Sequence, residues 1–249
     1  MGEMKNIRLI LQYEGTSYHG WQRQKDDLTI QGLIEDKLEM MTGKPVTLYA
    51  SGRTDAGVHA LHQVCNFSSE TRIPPESIKN GLNSLLPDDI FIKKSEYVDP
   101  DFHSRYSARS KSYEYRILNT REIDIFSRRY AWHVREELNY SEMRKCLSFI
   151  IGKHDFSAFR STGTSNVNPV REVFRAELSD PDELGRACFS FEAEGFLKHM
   201  VRNIVGTIVD AGKGKILSSD FLEILKSGDR KRAGYKAPPQ GLFLTGVKY

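Results

Sequence analysis

Two hydrophobic periods alternate along this 249-residue chain, and their order restricts the fold more than any other feature. Residues 6–13 put Ile7, Leu9, Leu11 and Tyr13 on one face and Arg8 and Gln12 on the other, a period of two that predicts a strand. From Ile30 the period changes. Ile30, Leu33, Ile34, Leu38 and Met41 recur at helical spacing, with Thr29 as the expected N-cap and Gly43 as the expected terminator. Strands are expected at 46–50 and 63–67. Pro74 and Pro75 suit the first turn of a helix carrying Ile78, Leu82 and Leu85, and residues 90–98 read as a strand. The order is β-α-β-β-α-β, the ferredoxin-like pattern.

The second half repeats that order with insertions. Strands are expected at 111–119, 170–178, 187–194 and 242–248. Ser141 is the expected cap of a helix bearing Met143, Cys146, Leu147 and Ile150. A longer helix runs over 197–211 with a strong apolar stripe, closed by Gly212, and Ser219 begins a short one. The expected fold is therefore α+β. Two ferredoxin-like halves, residues 1–105 and 106–249, join into a mainly antiparallel sheet with a central cleft for the active site.

Composition narrows the class. Three cysteines, Cys65, Cys146 and Cys188, are widely spaced and form no C-x-x-C, which argues against a disulfide framework. No apolar run has membrane-span length, and residues 1–5 are too polar for a signal peptide, so a cytoplasmic protein is expected. The net charge of +3 does not demand a polyanionic partner. The basic residues are clustered, however: Arg105, Arg109 and Lys111; Arg128 and Arg129; 160–171; Lys213 and Lys215; and 230–232. Together they suit phosphate contacts along a groove.

The chemistry concentrates in residues 51–60, Ser-Gly-Arg-Thr-Asp-Ala-Gly-Val-His-Ala. Gly52 and Gly57 permit a sharp bend or close approach of a ligand. Arg53 and Asp55 project from a loop that follows a strand, a common setting for catalytic groups and also for a plain turn. His59 and His62 lack a third metal ligand at sensible spacing. Trp21, in the glycine-containing loop 14–24, either stacks on bases or anchors the loop to the core.

Four stretches occur together: Gly52-Arg53-Thr54-Asp55-Ala56-Gly57-Val58-His59, the run Asp101 to Ala108, Lys111-Ser112-Tyr113-Glu114-Tyr115, and Gly195 to Gly206 with its His199-Met200-Val201-Arg202-Asn203. In this order and at these intervals the chain resembles the tRNA pseudouridine synthase A family over nearly its whole length. The resemblance implies isomerisation of uridine to pseudouridine in tRNA, on the 3′ side of the anticodon stem-loop at positions 38–40. It also implies a homodimer and no metal or organic cofactor. By motif, Asp55 matches the nucleophilic aspartate and Tyr113 the tyrosine that stacks on the target base. Arg53 and Arg202 match supporting arginines, the second pairing with the aspartate.

That chemistry suits the residues. The isomerisation breaks an N-glycosidic bond, turns the base and closes a carbon–carbon bond without exchange of electrons. One ionised, aimed carboxylate is sufficient, attacking either the sugar C1′ or the base C6. A nearby arginine keeps it charged under a bound base. The base must leave its stack, and Tyr113 offers it an aromatic face. Two rivals stand beside this reading: an RNA-binding module without chemistry, although residues 112–118 lack the aromatic pattern of an RNA-recognition motif, and a hydrolase of N-glycosidic bonds.

Overall fold

A computed structural model describes residues 3–161 and 168–249; the part of the basic stretch 160–171 that falls at 162–167 lies outside them. The chain divides into two compact units. The first runs up to Arg109 and takes back Leu244–Tyr249; the second is Ser110–Phe243. Both are α+β with mainly antiparallel sheets.

In the first unit the order is β1 (Lys5–Tyr13), α1 (Ile30–Thr42), β2 (Tyr49–Ala50), β3 (His59–Ser69), α2 (Pro75–Leu85) and β4 (Ile90–Val98). β1 lies between β3 and β4, antiparallel to both, and β2 pairs with β3. Ile7, Leu9 and Leu11 are fully buried, as the period of two requires. The Thr29 hydroxyl accepts from the Gly32 N–H, and Gly43 closes α1 with φ 73°. Both ends thus follow the sequence.

Two strands differ from expectation. β3 extends over eleven residues rather than 63–67, because both of its faces are covered: Gln63, Val64, Cys65, Asn66 and Phe67 are all buried. A strand buried on both faces loses its alternation. β2, expected over 46–50, is only two residues long. Leu48 is taken by α1 instead: its N–H donates to Glu35 Oε1 at 2.9 Å, and its carbonyl accepts from Gln31 Nε2 at 3.2 Å. In α2, Ile78 and Leu82 are buried as expected, but Leu85 is exposed and Leu86, just past the helix, is buried.

The second unit contains β5 (Ser110–Asn119), β6 (Trp132–Val134), α3 (Tyr140–Ser148), β7 (Gly152–Asp155), β8 (Val170–Leu178), β9 (Arg186–Ala193), α4 (Met200–Gly212) and α5 (Ser218–Ser227). β9 pairs with β5 and β8, and β7 pairs with β8, all antiparallel; β6 pairs parallel to β5. β6 and β7 are too short for a periodic signal. The cap of α3 is Asn139, whose Oδ1 accepts from the Glu142 N–H at 3.1 Å, rather than Ser141. α4 begins at Met200, three residues later than its apolar stripe, because His199 adopts a left-handed φ of 64°. α4 is buried on nearly every side. The last strand, β10 (Leu242–Lys248), starts in the second unit and ends in the first, beside β3.

Candidate active site

The Asp55 loop is held by backbone and by buried hydroxyls. Residues 51–58 connect β2 to β3, and Gly57 takes φ 76°. The preceding loop, 14–21, lies flat against them. The Trp21 N–H donates to the Thr54 carbonyl at 3.0 Å, and the Gly15 N–H donates to His59 Nδ1 at 3.0 Å. That approach requires glycine. A Cβ on Gly20, at φ 89°, would sit 2.6 Å from the Thr54 oxygen and 3.0 Å from the Asp55 carbonyl carbon. A Cβ on Gly15 would meet the Val58 oxygen at 2.0 Å.

Loop 14–21 is itself anchored. Trp21 is 1% exposed and packs its ring 6.0 Å from that of Tyr13. It is therefore a core anchor and offers no face to a base. The Tyr18 hydroxyl donates to Asp89 Oδ1, and burial together with that carboxylate pushes the phenol well above its ordinary range.

Beneath Asp55 lies a buried polar network that the sequence did not disclose. The Tyr13 and Thr54 hydroxyls are 2.7 Å apart. Gln63 Nε2 donates to the Gly52 carbonyl at 2.8 Å, and Gln63 Oε1 accepts from the Ser51 hydroxyl at 2.7 Å. Burial raises the Tyr13 phenol strongly, so it stays neutral. All four side chains are buried. Gly52 and Thr54, three residues and one residue before Asp55, are thereby fixed. The signal in the sequence was a glutamine at the start of the expected strand 63–67, just after the glycine-containing stretch. Asp55 itself is half-buried, and Arg53 is exposed.

In the second unit, Tyr113 lies on β5 opposite Phe191, 8% exposed, with its ring edge-on to Phe196 at 5.1 Å. Arg202 stands in the first turn of α4 and is 6% exposed, not a solvent-facing arginine of an amphipathic helix. Its Nε donates to the Ala237 carbonyl at 2.8 Å, and the Ala237 N–H returns a bond to the Arg202 carbonyl at 3.0 Å. Gly206, one turn on, lets this segment lie against the helix, since a Cβ there would overlap the Tyr235 oxygen. The Tyr115 hydroxyl donates to the Pro238 carbonyl at 2.8 Å. Burial raises the Tyr115 phenol, and the Arg202 charge opposes that rise. Arg202 is thus fixed at both ends of its neighbourhood.

The basic clusters divide into two sorts. Arg105, Arg109, Arg128 and Arg129 are exposed. Others serve the fold: Lys213 pairs with Glu136 at 2.8 Å, Lys215 with Asp210 at 2.9 Å, and Arg230 donates to Asn203 Oδ1 and two loop carbonyls at 3.1 Å. Among the described residues no three His, Cys, Asp or Glu side chains are placed to hold a metal ion, and no helix is long and apolar enough to cross a membrane.

A family model described as tRNA pseudouridine synthase matches residues 9–107 and 148–249. The chain is 44% identical to the tRNA pseudouridine synthase A of Thermoanaerobacter sp. (strain X514) and 44% identical to that of Acetivibrio thermocellus, in each case over 99% of this chain and all of the relative. It is 43% identical, with the same coverage, to the tRNA pseudouridine synthase A of Caldicellulosiruptor saccharolyticus. The crystal structure of a Cbf5-Nop10-Gar1 complex is a distant likeness, with a TM-score of 0.38 and 11% identity over 99% of this chain and 58% of that one. The match of both units and the full-length identity carry one conclusion: the chain belongs to the tRNA pseudouridine synthase family.

Proposed function

We propose that this isomerase converts uridine to pseudouridine on the 3′ side of the tRNA anticodon stem-loop, at positions 38–40, with Asp55 as the nucleophile. The N1–C1′ bond of uridine breaks and a C5–C1′ bond forms; C5 gives up its proton and N1 gains one. Asp55 attacks C1′ or C6 and is released when the new bond closes. Tyr113 stacks on the flipped base. Arg202 favours the ionised carboxylate while water is excluded, and Arg53 holds the RNA backbone. We further propose a cytoplasmic homodimer that needs no cofactor.

The observation that carries this reading is the fixing of the Thr54–Asp55 peptide by Gly20 and Trp21, and of Ser51 and Gly52 ahead of it by Gln63. A mere turn needs no such grip, whereas a nucleophile loses most of its advantage when it is misplaced. Replacing Asp55 with Asn keeps the shape and removes the charge. Pseudouridine formation in a tRNA transcript, mapped by carbodiimide adducts, should fall by at least about a thousandfold, while tRNA binding stays near that of the unaltered enzyme. Turnover within a few-fold of the unaltered enzyme would remove Asp55 from the role. Release of free uracil would point to hydrolysis instead.

A further inference from the structure

Outside the site described above, the first unit holds a cluster of three aromatic rings at its surface. His103 lies between Tyr49 and Tyr106, with ring centroids 5.0 Å and 4.4 Å away and the planes tilted by 46° and 42°. The Arg105 guanidinium lies over the Tyr106 ring at 5.5 Å. Tyr49 is 48% exposed and Tyr106 is 76% exposed. Hydrophobic collapse does not explain a cluster that leaves its outer rings in water.

The loop that carries His103 and Tyr106 is anchored by hydrogen bonds. Two buried asparagines on neighbouring strands hold it. Asn6 Nδ2 donates to the Asp99 and Phe102 carbonyls at 2.9 and 2.8 Å, and Asn66 Oδ1 accepts from the Ser104 N–H at 2.9 Å. Burying two amides costs free energy unless they are bonded, and here the bonds go to this loop. His103 Nδ1 accepts from the N–H groups of Arg105 and Tyr106 at 3.1 and 3.4 Å, so the loop backbone itself holds the ring in place.

Tyr49 stands on β2, six residues before Asp55. The chain between them spans at most about 20 Å. Tyr49 therefore lies within about 20 Å of the Asp55 loop.

We propose that Tyr49, His103 and Tyr106 form a stacking platform for an unpaired base of the RNA substrate outside the catalytic pocket, with the exposed Arg105 and Arg109 meeting its phosphates. Aromatic rings with arginines beside them bind single-stranded nucleic acid in this manner, because every base has a face to stack. The proposal rests on the tRNA reading given above and adds a second point of contact to it.

The test measures equilibrium binding of two probes: a tRNA transcript, and an RNA duplex of similar length without unpaired bases. Tyr106→Ala and Tyr49→Ala are each expected to weaken tRNA binding by roughly five- to hundredfold. Duplex binding should change less than twofold, and Tyr106→Trp should restore the tRNA affinity. Arg105→Ala should weaken both probes and lower the salt dependence. Because both tyrosines are exposed, thermal unfolding of the variants reports whether the fold is intact. If Tyr49→Ala/Tyr106→Ala binds tRNA as the unaltered protein does, or loses tRNA and duplex equally, the platform is refuted. If the double variant instead changes the oligomeric state, the stack is an interface between copies and the proposal is likewise overturned. If the unaltered protein modifies no tRNA at all, the reading of its function fails, independently of these variants.

Discussion

A single methyl group on Gly20 should separate the positioning of Asp55 from the stability of the fold. Gly20 has φ 89°, and an added Cβ would lie 2.6 Å from the Thr54 carbonyl oxygen, 3.0 Å from the Asp55 carbonyl carbon and 3.1 Å from the Ala56 nitrogen. All three are backbone atoms, so no side chain can swing aside. Ordinary contact begins near 3.4 Å, and the Asp55 peptide must then move by about 0.8 Å. Loop 14–21 cannot yield in its place, because Trp21 is buried and Tyr18 is bonded to Asp89. A displacement of about 1 Å costs on the order of a hundredfold in rate when geometry is the source of catalysis. Gly20→Ala is therefore expected to lower kcat for pseudouridine formation by about ten- to hundredfold. Its backbone strain adds about 1–2 kcal/mol of destabilisation. Gly43→Ala supplies the control: φ there is 73°, and nothing lies within 4 Å of the added carbon. That variant should lose about the same stability and no activity. Single-turnover kinetics with a tRNA transcript, beside urea unfolding of both variants, decide the matter. A Gly20→Ala enzyme as active as the Gly43→Ala enzyme would refute the idea that this contact sets the Asp55 position.

Two more outcomes follow from the buried groups. Gln63→Leu leaves the Gly52 carbonyl and the Ser51 hydroxyl without their partner in a buried setting, at about 1–3 kcal/mol each. Urea unfolding should report a loss of about 2–5 kcal/mol and kcat should fall about tenfold; a loss below about 1 kcal/mol with unaltered kcat would mean that water replaces the amide. The thiols should be inert, since burial pushes Cys188 up to about 11 and Cys146 up to about 12, and raises Cys65 strongly as well. At pH 8 the Cys188 thiolate is only about one part in a thousand, so alkylation by iodoacetamide should be slow until urea unfolds the protein. Each raised pKa favours the neutral folded thiol, so this contribution to stability is complete below pH 9 and is lost as pH rises through about 11 for Cys188. Rapid labelling of native Cys188 would contradict the burial argument.

The sequence disclosed what depends on period and on glycine, and concealed what depends on distant partners. The stripes of β1 and α1, the Thr29 and Gly43 ends of α1 and the loop carrying Asp55 were all legible, because each is decided by residues within a few positions of one another. β3 was read too short because its covered outer face carries no alternation. β2 was read too long because Glu35, thirteen residues away, takes the Leu48 N–H that a ladder would have used. Trp21 could be read as a base platform or an anchor, and only its 1% exposure decides between them. The same limit applies to the site. A motif can nominate Asp55, but it says nothing of what holds Asp55 still. Gly20 lies thirty-five residues before it, and Gln63 lies eight after it on a different element. Neither carries a charge or a nucleophile that would draw notice. The first is there because it lacks an atom, and the second because it bonds the Gly52 carbonyl and the Ser51 hydroxyl at once. On the proposal that Asp55 is the nucleophile, substitution at either position is expected to leave its carboxylate chemically intact and move it, so rate should fall with a smaller change in tRNA affinity.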